Sequence, residues 1–464
     1  MTGTAAAGVT VPPLPSGPDV AVRLGRRLGL LDQALRSAAP RPSHGRLTRA
    51  VGTVLRAMLP GARLGELCRL QQGDAAPLLA EVIGLDGHEA ILAPIGSTRG
   101  LTTSAEVVRT GTVLQVPVGM ALLGRVVNGL GEPLDTAEAG PLRAQETRPC
   151  DGVPPEALER APISRAMPIG VRAIDGLLTV GEGQRVGIYG EPGGGKSTLL
   201  AQLVRGCEVD VVVVALVGER GREVRDFLEH QIDERSRRRT VMVVATSDRP
   251  AIERMKAAAT ASAIAEEFRD QGLKVLLVVD SLTRYARALR EVGLAAGEPP
   301  ARRGFPPSVM AELPRLLERA GVGRRGSITA FYTVLVEGDG TNDPIAEETR
   351  GILDGHIVLS AKLAGSGHYP AIDVLLSRSR VMDAVASRAQ AAQARAVRDL
   401  MQRYQDIEFL VQVGEFKAGA DPLNDLALAR NDEVRSFLRQ ATDEHTPFGE
   451  MQVWLERLSE GGTA

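Results

Sequence analysis

The chain has 464 residues, 44% of them hydrophobic and 24% charged, which predicts a globular protein of about two to four domains. A formal net charge of -2 excludes the basic footprint of a general nucleic-acid binder, and 3% aromatic residues leave little for base stacking. Cys68, Cys150 and Cys207 are too few and too scattered for a metal site and read as free thiols in a reducing compartment.

Residues 1–18 are rich in Ala, Gly, Thr and Pro and are expected to be a loose tail. No basic segment followed by an apolar core reads as a signal peptide, and no apolar run approaches the ~20 residues that span a bilayer. Any membrane association is therefore expected to be peripheral. Val20, Leu24, Leu28, Leu31 and Leu35 share one helical face, weakened by Gly25 and Gly29. Such a helix either orders on a partner or an anionic membrane, or packs on its own domain.

Over 46–115, β-rich runs (Val51–Met58, Ala90–Ile95, Thr112–Val118) alternate with Gly, Pro and Asp turns, and predict a small all-β barrel. A polar, Pro-containing linker, Asp135–Pro162, follows. From about 184, apolar strands alternate with helices. The strands are Arg185–Tyr189, Val211–Val217, Val241–Ala245, Val275–Val279, Ser327–Leu335 and His356–Ser360, with a long helix over Ala251–Gln271. Alternation of this type predicts a parallel sheet covered by helices, with ligands at the carboxyl ends of its strands. From about 380 the pattern is helical: Val397, Leu400, Met401, Tyr404, Ile407 and Val411 mark one face, and a last helix reaches Leu458. There is no internal repeat and no heptad array.

Between the first two of these strands stands Gly190-Glu191-Pro192-Gly193-Gly194-Gly195-Lys196-Ser197-Thr198. It fits the phosphate-binding loop G-x-x-x-x-G-K-[ST]. Glycines let backbone N–H groups turn inward around a phosphate, the lysine meets the outer phosphates, and the next hydroxyl ligates Mg²⁺. Only five lysines occur in the chain, so a chance match is improbable. Asp280 ends an apolar strand, where a phosphate-loop NTPase holds its metal; the alternative is a cap on the following helix. Glu219 follows Val211–Val217. It reads either as a carboxylate that polarises the attacking water or as a surface residue in the charged run Glu219–Glu223.

Six further stretches, together with the glycine loop, carry a resemblance. They are Met167–Gly176, Gly218–Val224, Asp280–Ala286, Gly304–Val309, Glu337–Pro344 and Gly367–Asp373. With them the chain resembles the ATPases of type III secretion, the injectisome and flagellar-export relatives of rotary ATP synthase catalytic subunits, over roughly 46–460. The resemblance implies an α/β fold: a RecA-like P-loop NTPase core with a parallel sheet, preceded by a small N-terminal β-barrel and followed by a C-terminal helical domain. The expected domains are 1–45 (tail and amphipathic helix), 46–115 (barrel), 116–379 (ATPase) and 380–464 (helical).

By the same resemblance, ATP is gripped by Gly190, Gly193, Gly194, Gly195, Lys196, Ser197 and Thr198, with Tyr369 stacked on adenine. Ser197 and Asp280 hold Mg²⁺. Glu219 is the catalytic glutamate, Lys196 and Arg220 meet the γ-phosphate region, and Arg380 reaches into a neighbour's site. A homohexamer is implied, active at the cytoplasmic face of the inner membrane, where it releases chaperones and unfolds substrates at the export gate. The implied partners are a stator at the Val20–Leu35 segment, a central stalk near Val413–Asp425, and chaperone–substrate complexes. Nucleic acid is not among them.

Two positions depart from the family pattern. Glu191-Pro192 replaces smaller residues, with Glu191 expected to face solvent, and Arg378 stands close to Arg380 as a second candidate finger. The competing readings are a rotary synthase catalytic subunit, a nucleotide-binding subunit without turnover (which Glu219 opposes) and a hexameric RNA translocase. The injectisome is favoured over the flagellum on general resemblance.

Overall fold

The structure is a computed structural model that describes residues 44–73, 76–336 and 343–460. The amphipathic segment Val20–Leu35, with its stator assignment, and residues 337–342 of the Glu337–Pro344 stretch lie outside the described residues.

Six antiparallel strands close into a barrel in the order β1-β2-β5-β4-β3-β6. They are β1 (His44–Val51), β2 (Val54–Met58), β3 (Glu66–Gln71), β4 (Leu78–Asp86), β5 (Glu89–Ile95) and β6 (Glu106–Val113). Leu47, Leu55, Leu70, Val82, Leu92 and Val107 fill the interior. The expected strand Val51–Met58 is instead a hairpin: the chain turns at Gly52-Thr53 and Val51 pairs with Val54. The run Thr112–Val118 is likewise two pieces, the end of β6 and β7 (Gln115–Val118). An unbroken β-type composition hides a two-residue turn.

β7 pairs with β9 (Glu146–Pro149), so the linker Asp135–Pro162 holds a strand that the polar composition concealed. The remaining strands form the nucleotide-binding sheet. They are β8 (Val126–Asn128), β10 (Arg185–Gly190), β11 (Val211–Val217), β12 (Thr240–Ala245), β13 (Lys274–Asp280), β14 (Gly321–Val322), β15 (Ser327–Leu335), β16 (Gly355–Leu359) and β17 (Ile372–Ser379). The order is β17-β16-β10-β15-β13-β11-β12-β8, with β14 on β15. All pairings are parallel except those of β14 and β17. The expected parallel sheet therefore carries an antiparallel edge strand, β17.

Both faces of this sheet are covered, as its continuous Val/Leu runs require. Along β11, Val212, Val214 and Leu216 face one core while Val211, Val213, Ala215 and Val217 face the other. The helix Ala251–Asp270 packs its Ala257, Ala261, Ile264 and Phe268 on the second face. On the first lie the helix Lys196–Gly206 and the C-terminal helices Arg388–Gln412, Pro422–Leu438 and Phe448–Ser459. Val397, Leu400 and Ile407 of the face read from the sequence are buried. The three cysteines are buried free thiols.

Candidate functional site

After leaving β10, the chain crosses the positions of β15 and β13 before entering β11. Such a crossover opens a crevice at the carboxyl ends of the strands, and the glycine loop lies there. Gly193 and Gly195 hold φ of 89° and 82°, conformations that glycine adopts without strain. Gly195 caps the Lys196–Gly206 helix with no side-chain partner, and no acidic residue occupies the first turn. The orphan N–H groups and the positive end of the dipole are thus left for an external anion. Ser197 is exposed on that first turn, and Glu191 is half-buried rather than turned fully to solvent.

Lys196 answers two carboxylates. Its Nζ lies 2.6 Å from Asp280 Oδ1 and 3.7 Å from Glu219 Oε1, with Asp280 and Glu219 both nearly buried. Their convergence follows from strand order. β11 and β13 are neighbours with Leu216 opposite Asp280, so Glu219, two residues past β11, emerges beside the end of β13. Asp280 Oδ1 also accepts the Thr333 hydroxyl at 2.7 Å, which keeps it facing the lysine. Ser281 caps the Leu282–Ala296 helix with its own hydroxyl, so Asp280 is not the cap.

Glu219 is held from its other side by Arg284, whose Nη1 lies 2.6 Å from Oε2 and also donates to the Gly218 carbonyl at 2.6 Å. Burial, and then a hydrogen bond shared with Glu223, push the Glu219 carboxyl above its ordinary range, while Lys196 and Arg284 oppose the shift. Glu223 is correspondingly pulled down by that hydrogen bond. Arg220 stands apart: its side chain is 67% exposed and its ion pair, at 3.6 Å, is with Glu223. Arg284, Thr333 and Glu223 are the contacts that sequence reasoning missed. Arg284 lay in a recognised stretch; Thr333 became a candidate only once β15 was known to border β13.

Tyr369 comes to the loop from the far side of β16. A Cβ placed on Gly195 would meet its ring at 3.3 Å, and the ring remains 40% exposed. Arg380 is not at this end of the sheet. Ser379 is opposite Gly355, Gly355 is opposite Val186, and the Arg380 N–H donates to the Asp354 carbonyl. Arg380 is therefore level with the start of β10, whereas the loop begins at its end, about 17 Å along the strand. Its guanidinium donates to the Arg350 carbonyl at 2.9 Å and is otherwise exposed, as is Arg378.

The donor set beside Lys196, a free hydroxyl and a carboxylate, is all oxygen. It suits Mg²⁺, which takes one or two protein ligands and completes its shell with water and phosphate. Among the described residues no group of three or more His, Cys, Asp or Glu side chains could hold a metal without such help.

A glycine loop on an uncapped helix, a lysine shared by two buried carboxylates and a barrel ahead of the sheet define a phosphate-loop ATPase of the ATP synthase kind. Residues 47–111 and 170–379 match the beta-barrel and nucleotide-binding domains of the ATP synthase alpha/beta family, and 386–457 match the T3SS EscN ATPase C-terminal domain. The chain is 60% identical to a type 3 secretion system ATPase of Sinorhizobium fredii, covering 90% of this chain and 92% of that one. It is 46% identical to a flagellum-specific ATP synthase of Pseudomonas aeruginosa, over 95% and 98% respectively. Among solved structures, the assembled ATPase EscN of enteropathogenic E. coli superposes with a TM-score of 0.85 at 45% identity, covering 89% of this chain and all of that one. EscN in complex with its central stalk EscO gives 0.83 at 44% identity and the same coverage. The chain belongs to the type 3 secretion system ATPases.

Proposed function

We propose that this ATPase works as a homohexameric ring that hydrolyses Mg²⁺-ATP at sites shared between neighbouring copies and so energises type III protein secretion. The observation that carries the shared site is the position of Arg380. An arginine side chain reaches less than half of the ~17 Å that separates the level of Arg380 from its own loop. If Arg380 meets a γ-phosphate, it meets a neighbour's.

Within one copy the roles follow from the contacts. The loop N–H groups and Lys196 receive the phosphates, with Lys196 exchanging its carboxylate partners for phosphate oxygens. Ser197 and Asp280 would hold Mg²⁺, which when bound neutralises the charge on the β- and γ-phosphates. Glu219, fixed by Arg284, accepts a hydrogen bond from the water that attacks the γ-phosphorus in line. The bond to the β–γ bridging oxygen breaks, and ADP leaves with the electron pair. Tyr369 offers its open face to the base. Arg220, exposed and paired only with Glu223, is available to a γ-phosphate or a neighbouring copy.

The higher identity to the Sinorhizobium secretion ATPase than to the flagellar protein supports an injectisome. The EscN–EscO complex supports a central stalk partner, and exposed Phe409, Leu410 and Val413 at the end of the Arg388–Gln412 helix offer it an apolar tip. No helix among the described residues is long and apolar enough to cross a membrane. By likeness to the secretion ATPases, the ring is placed at the cytoplasmic face of the inner membrane. We assign the stator to the Val20–Leu35 segment, and the export gate and chaperone–substrate complexes as the ring's targets. Glu219→Gln is expected to bind ATP normally and to hydrolyse it at less than about a hundredth of the wild-type rate. Retained turnover in a phosphate-release assay would remove Glu219 from the mechanism. Pull-down from the native cell with needle-complex proteins is expected; recovery of flagellar basal-body proteins instead would reassign the machine.

A further inference from the structure

One buried side chain ties the C-terminal helical region to the nucleotide site and has no role in the mechanism above. Gln440 follows the Pro422–Leu438 helix and is 4% exposed. Its Nε2 donates to the carbonyls of Gly170 (2.6 Å) and Glu444 (2.9 Å), and its Oε1 accepts the Arg172 N–H at 2.9 Å. Both ends of the amide are thus satisfied by backbone, and the side chain cannot rotate without breaking them. The Gln440 N–H then donates to the Tyr369 carbonyl at 2.8 Å.

The surroundings make this a rigid joint. Arg172 reaches across to the Phe437 carbonyl (2.8 Å), the Thr446 hydroxyl (3.0 Å), the Arg439 carbonyl and Glu444, and its guanidinium lies 4.8 Å from the Trp454 ring. From the helix that follows the phosphate loop, Gln202 donates to the Ala441 carbonyl at 3.1 Å and Arg205 to that of Thr442. A Cβ at Gly170 would lie 2.2 Å from the His445 ring, so the backbone there can approach only as glycine. Residues 439–446 therefore touch both walls of the site: the phosphate-loop helix on one side and the Tyr369 segment on the other.

We infer that Gln440 is a positioning residue for the nucleotide base. Its side chain locks its own backbone, and that backbone sets where the Tyr369 ring stands over the loop. The inference rests on Tyr369 receiving the base. No substitution at 440 short of proline removes the N–H, so the side-chain anchors are what a variant releases.

The test compares ATP with inorganic tripolyphosphate, which has the phosphates and no base, on the assembled full-length ring. Gln440→Glu replaces the Nε2 donor by oxygen, and Gln440→Met keeps the length without polar groups; thermal unfolding reports whether each folds. The folded variant is expected to raise KM for ATP about tenfold, more than it lowers kcat, with the tripolyphosphate inhibition constant within about twofold of wild type. Tyr369→Ala is expected to reproduce that selective loss, and the double variant to lose little more. Equal losses for ATP and tripolyphosphate, or fully additive losses in the double variant, would overturn the inference. A Tyr369→Ala protein with unchanged ATP affinity would instead remove Tyr369 from the base site, and the inference with it.

Discussion

One ammonium, that of Lys196, serves two buried carboxylates whose charges would otherwise repel. Glu219 has a second support in Arg284, 2.6 Å away, yet its carboxyl still titrates above the usual range because burial and Glu223 outweigh both cations. In the proposed mechanism water activation needs the ionised form, so turnover is expected to be lost as pH falls through the raised pKa of Glu219. Glu223→Gln replaces the carboxylate acceptor that favours protonated Glu219 with an amide whose Nε2 can donate to the ionised form, and is expected to move the acid limb of kcat/KM to lower pH; an unmoved limb would separate Glu223 from Glu219. The glycine loop and Lys196 were legible from residue order, since strand, loop and helix are contiguous; Asp280 at its strand end left a helix cap open until Ser281 was seen to be the cap and Asp280 to face Lys196. Glu219 was legible only through the family stretch around it, and Arg284 and Thr333 act through tertiary contacts that no local pattern encodes.

At the level of elements, the barrel is fastened to the ATPase sheet by a buried ion cluster. Lys256, in the second turn of the Ala251–Asp270 helix, lies 2.8 Å from Glu81 of β4 and 2.6 Å from Asp151 of the linker, with Lys256 and Glu81 both almost wholly buried. Glu81 and Asp151 hold the ammonium protonated despite its burial. Lys256→Met leaves Glu81 buried without a cation and is expected to cost about 3–5 kcal/mol in denaturant unfolding. A loss below about 1 kcal/mol would mean that water or protonation of Glu81 relieves the uncompensated charge.

Asp175, in the Arg172–Leu177 helix, accepts the N–H groups of Ile169 and Gly170 from the turn ahead of it. Burial pushes the Asp175 carboxyl up to about 7, against the backbone N–H groups of Gly170 and Ile169, which favour its charge. The folded state then binds more protons than the unfolded state between the ordinary aspartate value of 3.8 and about 7, so stability from this group falls as pH rises through that window. Asp175→Asn removes the titration, and its stability relative to wild type is expected to improve between about pH 4 and 7 and to hold level above that. A constant difference would contradict the shift. The buried strands β11, β13 and β15 could be read from their apolar runs. β17 could not: Ile372–Ser379 mixes exposed Leu376 and Arg378 with buried Val374 and Ser377, because an edge strand has one wet side. That edge also explains why Arg380 was assigned by family likeness and not by pattern.

For the whole molecule, the sheet puts its own length between the loop, Glu219 and Asp280 at one end and Arg380 at the other. On the proposed roles a single copy is incomplete, and a closed ring of identical copies would complete every site without a second kind of subunit. An arginine supplied in trans is worth about 10³–10⁵ in rate, so Arg380→Ala and Glu219→Gln rings should each be nearly idle. The decisive measurement is phosphate release from a ring assembled by co-refolding or co-expressing those two inactive variants in equal amounts. Random mixing places an intact Glu219 opposite an intact Arg380 at about one interface in four, so hydrolysis is expected to return far above either parent. A mixed ring as idle as its parents, or an Arg380→Ala protein that hydrolyses ATP at the wild-type rate, would contradict a site built from two copies.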